Sequence, residues 1–209
     1  MYFKSELNTD PAVSGPTYPQ AECLTLGDAH SIKVDEFANP DTIELEYKLA
    51  SKAKLTDILS QAAISANGLL VNQKVKDILE GFNLMQHRYY PVTVHIKKPT
   101  AQYYWLHLVD NSLITFVDFP NSQFYRTKFS YKEDDITLET YQDYLKKLDE
   151  FGFMCSIESD SIKLNNNFDR SLDLYMIAPF DSRPYFSEKL WNAFESEGIT
   201  GIRLAKSIS

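Results

Sequence analysis

The fold is decided by two short stretches, Val71-Asn72-Gln73-Lys74-Val75 and Phe186-Ser187-Glu188-Lys189-Leu190, which share one order of residue types. In each, an apolar residue is followed by a helix-capping residue, a polar residue, a lysine and an aliphatic residue. Asn and Ser favour the N-cap because their side-chain oxygens accept hydrogen bonds from the free amides of the first helical turn. The apolar pairs Ile78-Leu79 and Ala193-Phe194 then give each helix one apolar face. The pattern predicts two similar helix-then-strand units.

The two units span about residues 72–96 and 187–204, at an offset of 115 residues. An ancient duplication would explain the similarity. Two capped amphipathic helices that obey the same physics would explain it equally well. The sequence therefore leaves a pseudo-repeat open.

A β-hairpin is predicted between the two units. The residues of Pro91-Val92-Thr93-Val94-His95-Ile96 alternate as in a half-buried strand, and Tyr103–Val109 follows after a short polar break. A further helix is expected at about Leu138–Glu150, with Thr137 as its cap and Gly152 after its end. Together these elements predict an α+β fold with a mixed sheet.

The helical spacing also predicts a core. We expect the following side chains to be largely buried: Val75, Ile78, Leu79, Phe82, Tyr144, Leu148, Leu190 and Phe194.

The length of 209 residues suits one large domain or two small ones. Residues 1–65 are predicted to form an irregular, β-rich N-terminal segment, and residues 66–209 an α+β domain. The segment and the domain can also form one compact unit.

Motifs that carry chemistry are missing from the sequence. It has no Gly-x-Ser-x-Gly elbow and no glycine-rich phosphate loop. Cys23 and Cys155 match no metal or redox spacing, so we expect free thiols rather than a disulfide. The sequence therefore predicts no catalytic residue, no metal ligand and no cofactor.

Two histidines support one enzymatic alternative. His95 and His107 lie on the two strands of the predicted hairpin, where they could face the same side. Such a pair would bind a metal or shuttle protons. A polar sheet face with ordinary histidines is the simpler interpretation.

The formal net charge is −8 and is unevenly distributed. Residues 71–130 carry +3, whereas the segments before and after them carry −5 and −6. This balance disfavours binding to a phosphate backbone, which needs clustered cations, and it suits a basic protein partner. No apolar run approaches the roughly 20 residues that span a bilayer, and no signal peptide is visible, so we expect a cytoplasmic protein without membrane contact.

The densest acidic run surrounds the helix predicted near 138–150. It is the candidate surface for a partner, and solubility alone is the simpler explanation. Its members are Asp134, Asp135, Glu139, Asp143, Asp149 and Glu150.

Several motifs resemble one bacterial protein family. They are Gly68-Leu69-Leu70-Val71 with Lys74–Leu79, then His87–Val92, Tyr103–His107, and the closing Phe186–Leu190 with Gly198–Ile202. The family is that of predicted immunity proteins of polymorphic toxin systems, the myxobacterial-type immunity domain, formerly a domain of unknown function. The resemblance covers roughly residues 65–205. Asn72 is a departure, because the family tends to place there a cap like Ser187.

The resemblance implies inhibition by binding rather than catalysis. An immunity protein occludes a cognate toxin or secretion-system effector, which takes part in bacterial competition, and it needs no nucleophile or cofactor. Two other classes stay open, namely a small cytosolic enzyme around His95 and His107 and an adaptor of a secretion system. The toxin, the contact surface and the oligomeric state are not determined by the sequence.

Overall fold

The computed structural model describes residues 1–205, which form thirteen strands and five helices. The strands are β1 (Tyr2–Leu7), β2 (Ala21–Cys23), β3 (Leu45–Leu49), β4 (Ile58–Leu59), β5 (Gly68–Asn72), β6 (His87–His95), β7 (Thr100–Leu108), β8 (Gln123–Lys128), β9 (Tyr131–Ile136), β10 (Cys155–Ser161), β11 (Leu174–Ile177), β12 (Asp181–Ser187) and β13 (Ile202–Leu204). The helices are α1 (Pro11–Ser14), α2 (Leu26–Ser31), α3 (Gln73–Leu79), α4 (Tyr141–Phe151) and α5 (Glu188–Ser196).

The chain divides into two compact units. The second unit comprises Asn111–Arg170 and Ile177–Ser182, and the first unit contains the rest. Residues 1–65 and 66–110 thus belong to the same unit, because β2 and β3 pair into one sheet with β6. The division falls at Asn111 rather than near residue 65, which leaves the N-terminal segment and the following strands as one compact body.

A six-stranded mixed sheet, in the order β2-β3-β6-β7-β5-β4, forms the centre of the first unit. The predicted hairpin is confirmed as β6 and β7, whose antiparallel register pairs Tyr90 with Trp105 and Val92 with Tyr103. The β3 and β6 strands pair in parallel, which makes the sheet mixed. One face of this sheet carries Tyr90, Val92, Tyr103 and Trp105 into the core, so the α+β fold is the one that the sequence predicted.

Both predicted helix caps are present. The side-chain oxygen of Asn72 accepts a hydrogen bond from the Val75 amide at 3.0 Å, and that of Ser187 accepts one from the Leu190 amide at 3.1 Å. Each cap satisfies an amide that the first turn of a helix leaves without a backbone partner.

The core prediction holds for five of its eight side chains. Val75, Leu79, Tyr144, Leu190 and Phe194 are buried. The other three, Ile78, Phe82 and Leu148, are half-buried. For Phe82 the reason is that α3 ends at Leu79, one turn earlier than the apolar spacing suggested, so this ring lies outside the helix.

Two aspartates support the two caps in the same way. The carbonyl of Asp57 accepts from the Asn72 amide at 2.9 Å, and its carboxylate accepts from the Asn72 side chain at 2.8 Å. The carbonyl of Asp173 accepts from the Ser187 amide at 2.8 Å, and its carboxylate accepts from the Ser187 hydroxyl at 2.6 Å. Each capping residue is therefore held at both its backbone and its side chain.

The second carboxylate oxygen of each aspartate binds the chain that leaves the other helix. Asp57 accepts hydrogen bonds from the Thr200 amide at 2.8 Å and hydroxyl at 2.6 Å, just after α5. Asp173 accepts from the Asn83 amide at 3.0 Å, just after α3. We call these two residues the aspartate pair. It connects the start of each helix-then-strand unit to the end of the other helix.

The same order of elements occurs in two sheets of the first unit. The order β4-β5-β7-β6 in the large sheet corresponds to β11-β12-β1-β13 in a four-stranded sheet. Helices α3 and α5 follow β5 and β12 directly. The strand that corresponds to β7 is β1, from the start of the chain. The two helix-then-strand segments thus occupy corresponding positions in their sheets, and an origin by duplication stays open.

Truncation of the buried helix residues tests this core. We expect Leu79→Ala and Phe194→Ala each to lower the free energy of unfolding by about 2–5 kcal/mol, through lost transfer energy and a residual cavity. Leu145→Ala is the control, because Leu145 is 40% exposed. Chemical denaturation of the three variants measures the difference, and equal effects in all three would contradict the packing described.

Removal of one member of the aspartate pair tests the contacts that connect the two helix-then-strand segments within the first unit. We expect Asp57→Ala to lower the free energy of unfolding by about 2–3 kcal/mol, because charge-assisted hydrogen bonds are lost. The exposed Asp41 supplies the control, and Asp41→Ala is expected to change it by less than about 0.5 kcal/mol.

The same variant changes the response to acid. Burial raises the pKa of Asp57, but the hydrogen bonds from Thr200 and Asn72 lower it more, so the pKa lies below its usual value. A carboxylate with a lowered pKa stabilises the fold fully above the ordinary pKa, and this stabilisation is lost as the pH falls through the lowered value. The difference between parent and Asp57→Ala should therefore shrink in acid. A difference that stays constant with pH would exclude this role of the carboxylate.

Candidate partner-binding surface

The predicted surface residues all lie in the second unit. Its three-stranded antiparallel sheet has the order β10-β8-β9. The rings of Phe119, Phe124 and Tyr144 pack around Phe180, with centroids 4.8–5.8 Å apart. This aromatic core supports the sheet and α4, which carry the acidic residues.

Helix α4 begins later than the sequence indicated. Thr140, not Thr137, is its N-cap and accepts a hydrogen bond from the Asp143 amide at 3.1 Å. Leu138 is buried and precedes the helix. Gly152 ends α4 with a φ of 75°, as predicted from the tolerance of glycine for this region. Leu145 of α4 is 40% exposed, whereas Tyr144 beside it is buried.

The acidic residues of β9 are engaged in ion pairs. Asp134 lies 2.7 Å from Arg126, which also contacts Glu133 at 2.8 Å. Asp135 lies 2.9 Å from Lys132. Exposed ion pairs of this kind contribute little to stability, about 0–1 kcal/mol, but they offset the charge of these carboxylates.

The other four acidic residues lie at the two ends of α4. The Asp143 carboxylate accepts a hydrogen bond from the Glu139 amide at 3.1 Å and so stabilises the chain at the start of the helix. Asp149 and Glu150 are exposed near its C-terminal end, and Lys146 lies 3.9 Å from Glu150. Glu139 precedes the helix, so the predicted surface consists of three groups rather than one helix face.

The structure adds an exposed apolar cluster that the sequence analysis missed. Phe129, Tyr131, Phe153 and Met154 are 63%, 78%, 93% and 47% exposed, and we call them the apolar tip. They lie in the β8–β9 turn, at the start of β9, and between α4 and β10. One sequence feature could have indicated this exposure. Phe153 and Met154 directly follow Gly152, which ends the helix, and they belong to no alternating strand pattern that would predict their burial.

Charge is concentrated in the second unit. It contains seven Lys and Arg residues and twelve Asp and Glu residues, a net charge of −5. This unit therefore combines exposed apolar side chains with an excess of carboxylates, a composition that suits a basic protein partner.

The two histidines of the enzymatic alternative are not brought together. In the hairpin register His95 pairs with Thr100, whereas His107 pairs with Arg88. Side chains alternate along a strand, so these pairs lie on opposite faces as well as at opposite ends of the hairpin. The arrangement in which both histidines would face one side of the sheet is therefore not present.

The environments of the two histidines differ accordingly. His95 Nε2 lies 3.0 Å from a carboxylate oxygen of Glu46 on the polar sheet face. His107 is fully buried between the rings of Phe37 and Tyr90, and neither of its ring nitrogens has a hydrogen-bond partner. Burial lowers the pKa of His107 to about 4; the backbone of Lys33 opposes this shift, and the charge of Arg88 adds to it.

Other chemical groups add no site to this picture. Within residues 1–205, no three His, Cys, Asp or Glu side chains are grouped so that they could hold a metal ion. Cys23 and Cys155 are half-buried free thiols. Among the helices of the described chain, none is long and apolar enough to cross a membrane.

No family model matches the chain, and no curated protein matches it.

The buried imidazole predicts a specific pH dependence. Because the pKa of His107 falls from 6.5 to about 4 on folding, the unfolded chain binds an extra proton between these values. Its contribution to stability is complete above pH 6.5 and is lost as the pH falls towards 4. The free energy of unfolding of the parent should decrease as the pH falls from 7 to 4.5. We expect His107→Phe to reduce the slope of this decrease by about the amount that corresponds to one bound proton.

Chemical denaturation across this pH range measures the slope. Leu26, which is 52% exposed, supplies the control, because Leu26→Phe introduces the same ring without removing a titratable group and should leave the slope unchanged. A parent slope that His107→Phe also leaves unchanged would show that His107 does not titrate as described.

Proposed function

We propose that this protein is an immunity protein, which binds a cognate bacterial toxin in the cytoplasm of the producing cell and neutralises it by occlusion. The carrying observation is the second unit, where exposed apolar side chains lie in a body of net charge −5. The resemblance of residues 65–205 to predicted immunity proteins supports the same proposal.

Inhibition by occlusion requires no catalytic chemistry from the inhibiting protein. It requires a complementary surface with apolar anchors, and opposite charge that accelerates the encounter. A basic toxin, such as a nuclease that acts on phosphate backbones, would complement the excess of carboxylates. The proposal therefore assigns the protein no catalytic residue and no cofactor.

The alternatives find less support in the geometry. A small enzyme with His95 or His107 as its acid or base, in a site assembled from scattered residues, stays an alternative, but the hairpin register keeps the two imidazoles from acting together. An adaptor role in a secretion system would use the same exposed surface, but it would not protect a cell from a toxin.

Coexpression with the protein encoded by the neighbouring gene tests the proposal. We expect the two proteins to copurify as a complex, and we expect cells that express the neighbouring protein to survive only when the parent chain is present. Binding without protection would favour the adaptor. Absence of both binding and protection would reject the immunity function for that pair.

Charge reversal tests the contribution of the carboxylates. We expect Glu139→Lys, Asp149→Lys and Glu150→Lys together to slow association with the toxin by about tenfold at low salt, and the difference should shrink at high salt. Asp143 is left unchanged in this variant, because its carboxylate accepts a hydrogen bond from the Glu139 amide at the start of α4. Stopped-flow measurement of the association rate gives the comparison.

The matched control carries the same change of charge on the first unit. Asp41, Glu44 and Glu195 are exposed there and are replaced by lysine together. If this control slows association as much as the variant of the second unit, only the net charge matters and the contact lies elsewhere.

A further inference from the structure

The apolar tip begins with a two-residue turn between β8 and β9. Lys128 pairs with Tyr131, and the two residues between them, Phe129 and Ser130, have φ values of 49° and 66°. Two consecutive residues with positive φ define the type I′ hairpin turn. Asn-Gly is the pair that favours this turn, and a bulky aromatic residue in the left-handed region is costly.

The second part of the tip lies beside this turn. The Phe129 amide donates a hydrogen bond to the Met154 carbonyl at 3.3 Å, and Lys128 pairs with Cys155 of β10. The register therefore brings Phe129, Tyr131 and Met154 to one end of the three-stranded sheet, with Phe153 in the adjoining loop. The tip is one cluster rather than scattered exposed residues.

Neither the turn nor the core explains these side chains. Phe129 is unfavourable for its turn, and at 63% exposure it gains little from burial. Phe153 is 93% exposed directly after a helix-ending glycine, where a polar residue would serve equally well. Clustered exposed aromatic side chains are typical of interaction sites, where they act as anchors.

The charges near the tip favour a cationic partner. Asp149 and Glu150 lie a few residues before Phe153, at the end of α4 where the helix dipole adds partial negative charge, and Lys146 offsets part of the charge of Glu150 from 3.9 Å. Two nearby cations are held by two carboxylates each: Arg126 by Glu133 and Asp134, and Lys132 by Asp135 and Asp160. Lys128 contributes a positive charge at the tip itself.

We infer that the apolar tip is the docking site for a protein partner that presents an apolar hollow bordered by Lys and Arg. The inference rests on the proposed function, in which this partner is the toxin. An anionic membrane surface would be repelled by the net charge of −5 on this unit, and so would a second copy of the same unit.

The turn itself supplies a substitution that removes an aromatic anchor and at the same time favours the observed turn. Phe129→Asn with Ser130→Gly installs the pair that a type I′ turn favours, so the unfolding temperature should rise while the aromatic anchor is removed. Phe153→Ser removes the second anchor at a position with almost no buried surface. We combine the three substitutions in the tip variant and replace the exposed Leu24 and Leu26 by serine as the control.

The probe is a library of random peptides displayed on phage and selected on the full parent chain. We expect the enriched peptides to combine aromatic or aliphatic residues with Lys and Arg. Their affinity for the tip variant should fall by at least about tenfold, because aromatic anchors carry much of the binding energy at such sites. The leucine control should bind them as the parent does.

Four results would overturn the inference: no enrichment, equal binding to parent and tip variant, tip-dependent binding to vesicles of anionic lipid, or tip-dependent self-association. Failure of the proposed function looks different. In that case the neighbouring gene's protein does not bind the parent, although the selected basic peptides still bind the tip.

Discussion

The aspartate pair is the constraint on which the first unit depends. Asp57 and Asp173 each hold a capping residue, and each also binds the chain that leaves the other helix. A cap alone would stabilise one helix locally. Because each carboxylate satisfies two segments that are distant in sequence, neither helix-then-strand unit is complete without the other. The four-stranded sheet has the same requirement, since β1 from the start of the chain lies between β12 and β13.

The second unit follows a different plan. A small aromatic core around Phe180 supports a three-stranded sheet and one long helix, and the apolar tip is left outside this core. Ion pairs on Arg126 and Lys132 offset part of the acidic charge that the sequence concentrates there. The carboxylates of β9 are thereby occupied, whereas Asp149 and Glu150 at the end of α4 are exposed. The candidate contact surface is therefore the end of the second unit that carries Asp149, Glu150 and the apolar tip, rather than the whole acidic run.

In the first unit, too, some polar side chains are buried in the core and others lie on an exposed sheet face. His107, which is buried among aromatic rings, belongs to the core, whereas His95 and Glu46 belong to a polar sheet face. A buried imidazole makes the fold sensitive to acid, because protonation in an apolar site is costly. The hairpin register thus places His107 in the core and His95 on the polar sheet face.

The sequence by itself determined the elements that depend on local physics. The caps at Asn72 and Ser187, the alternating strands of the hairpin and the end of a helix at Gly152 are each decided by neighbouring residues, and the structure has all of them. Only the tertiary structure decided the hairpin register that parts His95 from His107, the division at Asn111 and the reciprocal contacts of the aspartate pair. It also decided which apolar residues stay outside a core, as at the apolar tip. These features depend on contacts between residues far apart in the chain, and the periodicity of one segment carries no information about what another segment will cover.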